Sequence, residues 1–415
     1  MGLYEASSEN VTFHYVGLDK PEKPLIYSWM SNRADKQPPH RRASVVVRFR
    51  EQTHELIVDL SSSPPSIVSK EVYHGHGFPI LTLEEQTVAG DLPRTHDEFI
   101  RSIEKRGLDM SDVVCSTYSV GWYGEPRSRR VVKVLAYYTN GTVNFYMRPI
   151  EGIPMVVDLE LMKIVKYHDR FKTSMPTAED TEYRLEKQDS PFGSHLNGAA
   201  IVQPHGPGFE IKGHTTRFSQ FGNINCVKVI SNFCHLGSCY QTNRQVGLTG
   251  LLEVKAVNYT HASQITEDEY GTMVGANTIA THHDHFLTYH LDLDVDGAPN
   301  SFVKTNLITK PVAEEGMPRK SYWTVSSKTA RTESEAQLHL GLEPCDLLVV
   351  NPDKRTKVGN NVGYRLIPGP IASPILFRDD YPQFRAAFTD NNLWVTPCDE
   401  RKMGRRPIRR SKPRG

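Results

Sequence analysis

The chain has 415 residues, 38% hydrophobic and 23% charged, with a net charge of +1 at pH 7. This is an ordinary globular profile, long enough for two or three domains, and it excludes general electrostatic affinity for nucleic acid or membrane surfaces. No apolar run is long enough to span a bilayer, and the opening MGLYEASSENVTFHY lacks the charged and apolar regions of a secretory leader.

In chain order, ASVVVRFRE and ELIVDL predict a hairpin over 43–60, turning around Gln52-Thr53-His54. A helix is predicted over 95–106. Thr95 and Glu98 form a capping box, Phe99, Ile100 and Ile103 make the apolar face, and Gly107 sits at the C-cap. Strands are expected at Val113–Gly121, Val131–Tyr138 and Thr142–Met147, then a strand pair in MVVDLELMKIVKY, residues 155–167. A break between two small α+β units is read near Leu92-Pro93. Residues 171–208 are polar and rich in turn formers. From Phe209 onward the pattern is nearly all β, with short alternating runs such as Val246–Val257, Ser301–Lys310 and Leu347–Asn351.

The most informative stretch is TIATHHDHFLTYHLDLDVDGAPNSFVK, Thr278–Lys304. Read with a period of two it is one long strand. One face carries Ile279, Thr281, His283, His285, Leu287 and Tyr289, and the other carries His282, Asp284, His290, Asp292 and Asp294. Two imidazoles on a core-facing stripe need partners, because a buried polar group without a hydrogen bond is costly. A metal ion would serve both; so would backbone carbonyls. Shifted by one, His282-x-Asp284 starts a two-histidine, one-carboxylate iron pattern with no further support. A cupin reading of His283-x-His285 lacks a correctly spaced Glu.

Six cysteines, Cys115, Cys226, Cys234, Cys239, Cys345 and Cys398, form no C-x-x-C. Cys226, Cys234 and Cys239 beside His235 match no usual zinc spacing. Three glycosylation sequons begin at Asn10, Asn140 and Asn258. The tail from Arg401 to Gly415 has eight Lys or Arg and no acid, and it reads as a solvated, disordered end in preference to a localisation or polyanion-binding patch.

HHDHFLTYHLDLDVDG followed by NSFVKTNL closely resembles the copper amine oxidases, the plant type in particular. FHYVGLDKPEK, SIEKRGLDMSDVVC, RPIEGIPMVVDLELMKIVKYHDR and QPHGPGFEIKGH resemble the family's two small N-terminal domains and the lead-in to its catalytic domain. RKSYWTVSSKTARTESEAQ, VVNPDKRTKVGNNVGYRLIPG and DDYPQFRAAFTDNNLWVTP resemble the catalytic domain itself. The resemblance implies α+β N-terminal domains followed by an antiparallel β-sandwich, an incomplete copper amine oxidase fold here. The implied layout is a first α+β domain at 10–92, lacking its first helix, and a second at 93–185. A linker at 186–208, a partial catalytic β-sandwich at 209–397 and the basic tail at 398–415 follow.

The resemblance also implies oxidation of primary amines or diamines to aldehydes, with release of ammonia and hydrogen peroxide. The cofactors are copper and topaquinone, a quinone made from one of the protein's own tyrosines, while an aspartate takes the substrate's α-proton. By carry-over, His283 and His285 hold copper. Asp292, the Leu293 carbonyl and Asp294 form a second site for calcium or manganese. A homodimer is the family's assembly, and the apoplast or the peroxisome its compartment.

The chain departs from the family pattern at the chemistry. The Asn-Tyr-acid motif of the quinone tyrosine should lie shortly before the stretch matching VGLTGLLEVKAV, and SNFCHLGSCYQTNRQ fills that place. Asn258-Tyr259-Thr260 follows that stretch and lacks the acid; Tyr240 lacks the context. The block carrying the catalytic aspartate is absent between Gly208–His214 and Phe218–Ile224. The third copper histidine has no counterpart in 398–415, and the last histidine is His339. Cys115 matches one half of a family disulfide whose other position is Ala136. The 222–245 segment and the tail read as sequence taken across wrong splice junctions or out of frame. The expectation is a chain inactive as it stands. The alternative form of that expectation is a non-catalytic relative, a fragment or splice variant that binds metal weakly or acts through interaction surfaces.

Overall fold

The computed structural model describes residues 11–184, 254–283, 291, 293–339, 345–367 and 376–397, except Ala34, His76, Val120, Trp122, 124–128 and Phe171, and describes the backbone of 209–212 and 215–218. The first elements are β1 (Thr12–Asp19), α1 (Lys23–Ser31), β2 (Arg42–Phe49), β3 (Gln52–Asp59), β4 (Ser66–Val72), α2 (Leu83–Asp91) and α3 (Asp97–Lys105). Next come β5 (Val113–Ser119), β6 (Val131–Tyr138), β7 (Pro149–Asp158), β8 (Lys163–Tyr167), β9 (Phe209–Lys212) and β10 (Thr215–Phe218). The remainder are β11 (Val254–Ala256), β12 (Gly271–Gly275), β13 (Thr278–Thr281), β14 (Ser301–Pro311), β15 (Ser321–Thr329), α4 (Glu333–Ala336), β16 (Cys345–Arg355), β17 (Asn361–Leu366) and α5 (Tyr381–Arg385).

The described chain divides into two compact units. One takes residues 1–20, 40–198 and 247–285; the other takes 21–39, 199–246 and 286–415. The first unit holds the antiparallel sheets β1-β2-β3-β4, β5-β6-β7-β8 and β11-β13-β12. In the first sheet Ala43, Val45 and Val47 alternate inward along β2 and meet Leu56 of β3. The β2–β3 turn is Arg50-Glu51, with φ of 49° and 61°, so it is a two-residue hairpin turn rather than the expected one around residues 52–54. Phe49 pairs directly with Gln52, and Gln52–His54 are already strand.

The second sheet buries Val132, Val134 and Ala136 of β6 against Ile153, Met155 and Val157 of β7. Phe99 and Ile103 of α3 and Ala89 of α2 close over this core, which therefore draws on residues on both sides of Leu92-Pro93. The N-cap of α3 is His96 rather than Thr95, with Nδ1 accepting from the Phe99 N–H at 3.3 Å. The capping box belongs to α2, where Thr82 and Glu85 bond each other's backbone N–H. Thr142–Met147 is no strand. Gly141 at φ 88° and a short 3-10 turn at Phe145–Met147 reverse the chain there, and β7 starts at Pro149, ahead of the expected 155.

In the second unit, β15-β14-β16-β17 form one sheet. Phe302, Leu347 and Val349 pack with Val295 and with Ala336 of α4 at its base. The β14–β15 hairpin runs on past that core, with Leu307, Trp323 and Val325 exposed on one face. The backbones of β9 and β10 pair from Lys212 opposite Thr215 to Phe209 opposite Phe218. Sequence 209–397 shows only one-turn helices among the described residues, in keeping with its β pattern.

Candidate metal centre

The histidine stretch is not one long strand. β13 covers only Thr278–Thr281 and is paired on both sides, with Ala280 opposite Val254 of β11 and Thr272 of β12. Ile279 is fully buried and Thr278 nearly so. The ladder runs out at Thr281 because β12 begins only after Tyr270, whose φ of 58° turns the backbone away. A last bond runs from the His282 N–H to the Tyr270 carbonyl at 2.8 Å. His282 and His283 are consequently exposed, and His283 is not the core-facing histidine that the periodicity predicts.

The ring of His283 is held by the backbone beside it. His283 Nδ1 lies 2.8 Å from the Thr281 carbonyl. A carbonyl can only accept, so Nδ1 carries a proton in this contact, and in the neutral imidazole that tautomer places the lone pair on Nε2. His285 and Asp284 lie outside the described residues.

The second predicted donor set is in the other unit, on the loop Leu293–Asn300. Asn300 fastens this loop to itself. Its Oδ1 accepts from the Val295 N–H at 3.0 Å, and its amide donates to the carbonyls of Leu293, Gly297 and Ala298 at 3.3, 3.2 and 3.0 Å. Asn351, buried on β16, donates to the carbonyls of Val295 and Asp296 at 2.9 and 3.0 Å. The Asp294 carboxylate faces α1. Lys23 Nζ is 2.7 Å from Oδ1, and the Tyr27 hydroxyl donates to Oδ2 at 2.8 Å. Asp292 lies outside the described residues.

The Tyr259 hydroxyl donates to Glu269 at 3.2 Å, and that bond to a carboxylate pushes its pKa up, away from phenolate. Tyr240, Asn10, the Cys226–His235–Cys239 group and the basic tail lie outside the described residues. Asn140 and Asn258 are exposed, bonded to Asp112 and to the Ser174 N–H respectively.

Sequence reading missed several buried or half-buried charged groups. Glu85 of α2 and Arg130 form a double hydrogen bond inside the first unit, the Nη2–Oε2 arm at 2.9 Å, with His14 Nδ1 3.9 Å from Glu85. The Thr82-x-x-Glu85 spacing was a readable signal for the helix but not for the partner. Asp169 accepts from Arg106 at 2.7 Å and from Ser102 at 2.9 Å, and Tyr167 donates to Ser102. Glu151 is largely buried on β7, its carboxylate accepting from the Ala256 N–H at 3.3 Å; burial pushes its pKa up.

Residues 3–70 match the family model described as Copper amine oxidase, N2 domain, 84–186 match the N3 domain, and 240–406 match the enzyme domain. The chain is 35% identical to the peroxisomal copper-containing amine oxidase alpha 2 of Arabidopsis thaliana, over 536 residues covering 94% of this chain and 78% of that protein. It is likewise 35% identical to the primary amine oxidase of Lens culinaris, covering 95% and 79%. Among solved structures, the copper-containing benzylamine oxidase from Hansenula polymorpha aligns with a TM-score of 0.68 at 15% identity, covering 93% of this chain and 82% of that one. The amine oxidase of Aspergillus nidulans aligns at 0.56 and 12% identity, covering 93% and 74%.

Proposed function

The chain belongs to the copper amine oxidase family, and we propose that it keeps part of that family's copper site while lacking the residues that oxidise amines. Bound copper and topaquinone supply the family's electron-accepting chemistry. On this chain His283 would offer Nε2 to copper, with His285 as its companion. A proton-abstracting base ordinarily contributes two to four orders of magnitude, roughly, to such a reaction. Without a quinone carbonyl no covalent chemistry with an amine can begin.

The observation that carries this reading is the β9–β10 hairpin. Gly208–His214 and Phe218–Ile224 are the two stretches that flank the aspartate-bearing block in the family. Here Lys212 pairs with Thr215, and Phe209 with Phe218, so the stretches form one tight ladder with only Gly213 and His214 between the paired strands. The alignment to the first relative spans 536 positions although it covers 94% of a 415-residue chain, which supports internal segments in the relative without a counterpart here.

The fold that goes with the proposal is a pair of α+β N-terminal domains and a partial catalytic β-sandwich. Dimerisation is the family's habit, and the exposed row of Leu307, Trp323 and Val325 offers a second copy an apolar face to cover. Sedimentation velocity reports whether a dimer forms. The functional test is peroxide release from purified, copper-supplemented protein with a panel of primary amines and diamines. The expected result is no release above a heat-denatured control; sustained turnover would restore the reading as a working primary-amine oxidase.

A further inference from the structure

The second donor set does not fit the divalent ion that the family pattern implies. Both described members are already engaged from within the protein. Asp294 holds the Lys23 ammonium at 2.7 Å on Oδ1 and the Tyr27 hydroxyl at 2.8 Å on Oδ2, and the Leu293 carbonyl accepts from Asn300 at 3.3 Å. Calcium binds oxygen at about 2.3–2.6 Å. An ion that close to Asp294 Oδ1 would lie within about 5 Å of the ammonium, a like-charge contact in a partly buried place. The Lys23 and Asp294 side chains are 23% and 20% exposed, so water screens the pair only in part.

The helix shows why a lysine is tolerated there. α1 opens with Lys23, has Pro24 in its first turn and has no acidic residue there. A cation at a helix N-terminus opposes the macrodipole. Its N-cap, Glu22, makes no side-chain capping bond. Asp294 brings a second carboxylate to this end of the helix from 271 residues away in sequence. The loop that presents Asp294 is fastened by Asn300 and Asn351, so the carboxylate is held in place for the helix.

We propose that Lys23 is the resident cation of Asp294: an internal ion pair, with Tyr27 as its second clamp, takes the role of the divalent ion and fixes α1 to the 293–300 loop without metal. Calcium and manganese then bind this chain weakly or not at all, and the segment 21–39 owes its order to a lysine.

The test uses the full chain. After dialysis against EDTA, bound calcium and manganese are measured by mass spectrometry, and melting is followed with and without millimolar calcium. The wild type should hold neither ion in stoichiometric amount, and its melting temperature should not move. Lys23→Met should raise the rate of proteolytic cleavage within 21–39 roughly three- to tenfold. Asp294→Asn should do the same, with the double variant no worse than either single one, as one shared interaction requires. Tyr27→Phe, which keeps the ion pair, should show a smaller increase. Stoichiometric metal in the wild type, a calcium-dependent rise in its melting temperature, or fully additive effects of Lys23→Met and Asp294→Asn would overturn the proposal.

Discussion

Cys115 stands directly opposite Ala136 across the β5–β6 ladder. This is the pair of positions at which the family resemblance implies a disulfide, and here one thiol faces a methyl group. Burial pushes the Cys115 thiol up to about 12, so a bridge from it forms slowly at neutral pH and faster as pH rises. Directly opposed Cβ atoms lie about 4.5–5.5 Å apart in antiparallel sheets, close to disulfide reach. In an Ala136→Cys variant, Cys115 should therefore oxidise to a bridge with the introduced thiol and add roughly 3 kcal/mol through the loop it closes. Non-reducing mass spectrometry and a melting curve check this. Alkylation of both Cys115 and the introduced cysteine after oxidation, among the variant's seven cysteines, would show that the facing pair is too far apart.

The Glu85–Arg130 pair lies buried in the first unit, its side chains 9% and 4% exposed. Burial acts to raise the Glu85 pKa, but the Arg130 hydrogen bond, the Thr82 N–H and the Arg130 charge outweigh it and hold the carboxyl below its usual range. A depressed carboxyl stabilises the fold above its unfolded pKa, and that contribution is lost as pH falls through the folded value. Glu85→Gln leaves the Arg130 charge buried without its counter-ion and should cost about 3–5 kcal/mol. Replacing both with Met should recover much of that loss. Urea unfolding of the three proteins decides, and a double variant as unstable as the single one would contradict it.

Glu151 has the opposite sign. Burial raises its pKa first of all, while the Ala256 N–H and Lys255 pull it back in part. A raised carboxyl contributes stability below its unfolded pKa and loses it as pH rises through the folded value. Glu151→Gln keeps an acceptor for the Ala256 N–H and removes the buried charge. It should stabilise the protein at neutral pH by about 1 kcal/mol, and the gain should vanish in acid. Melting temperatures across that pH range test this; a gain largest in acid would refute it.

What the sequence disclosed depended on how local the physics was. Val131–Tyr138 was legible to the residue because its alternation is the burial pattern of a strand between two partners. α2 was not legible, since its large apolar residues Leu83 and Val88 point outward and only Ala89 enters the core. α1 was hidden for a related reason: it buries no residue fully and is tied down by an ion pair to Asp294, which no local pattern reveals. The histidine stretch had a correct period but an overestimated length, because a strand ends where its neighbours do and Tyr270 turns one neighbour aside. Periodicity and resemblance both chose His283, but neither revealed that it is exposed.

We propose that this family member does not make the family's quinone. The most direct measurement is a redox-cycling quinone stain on the purified chain after aerobic incubation with copper. The account predicts no stain, alongside a positive reaction from an active amine oxidase treated identically. A copper-dependent positive stain on this chain would contradict it.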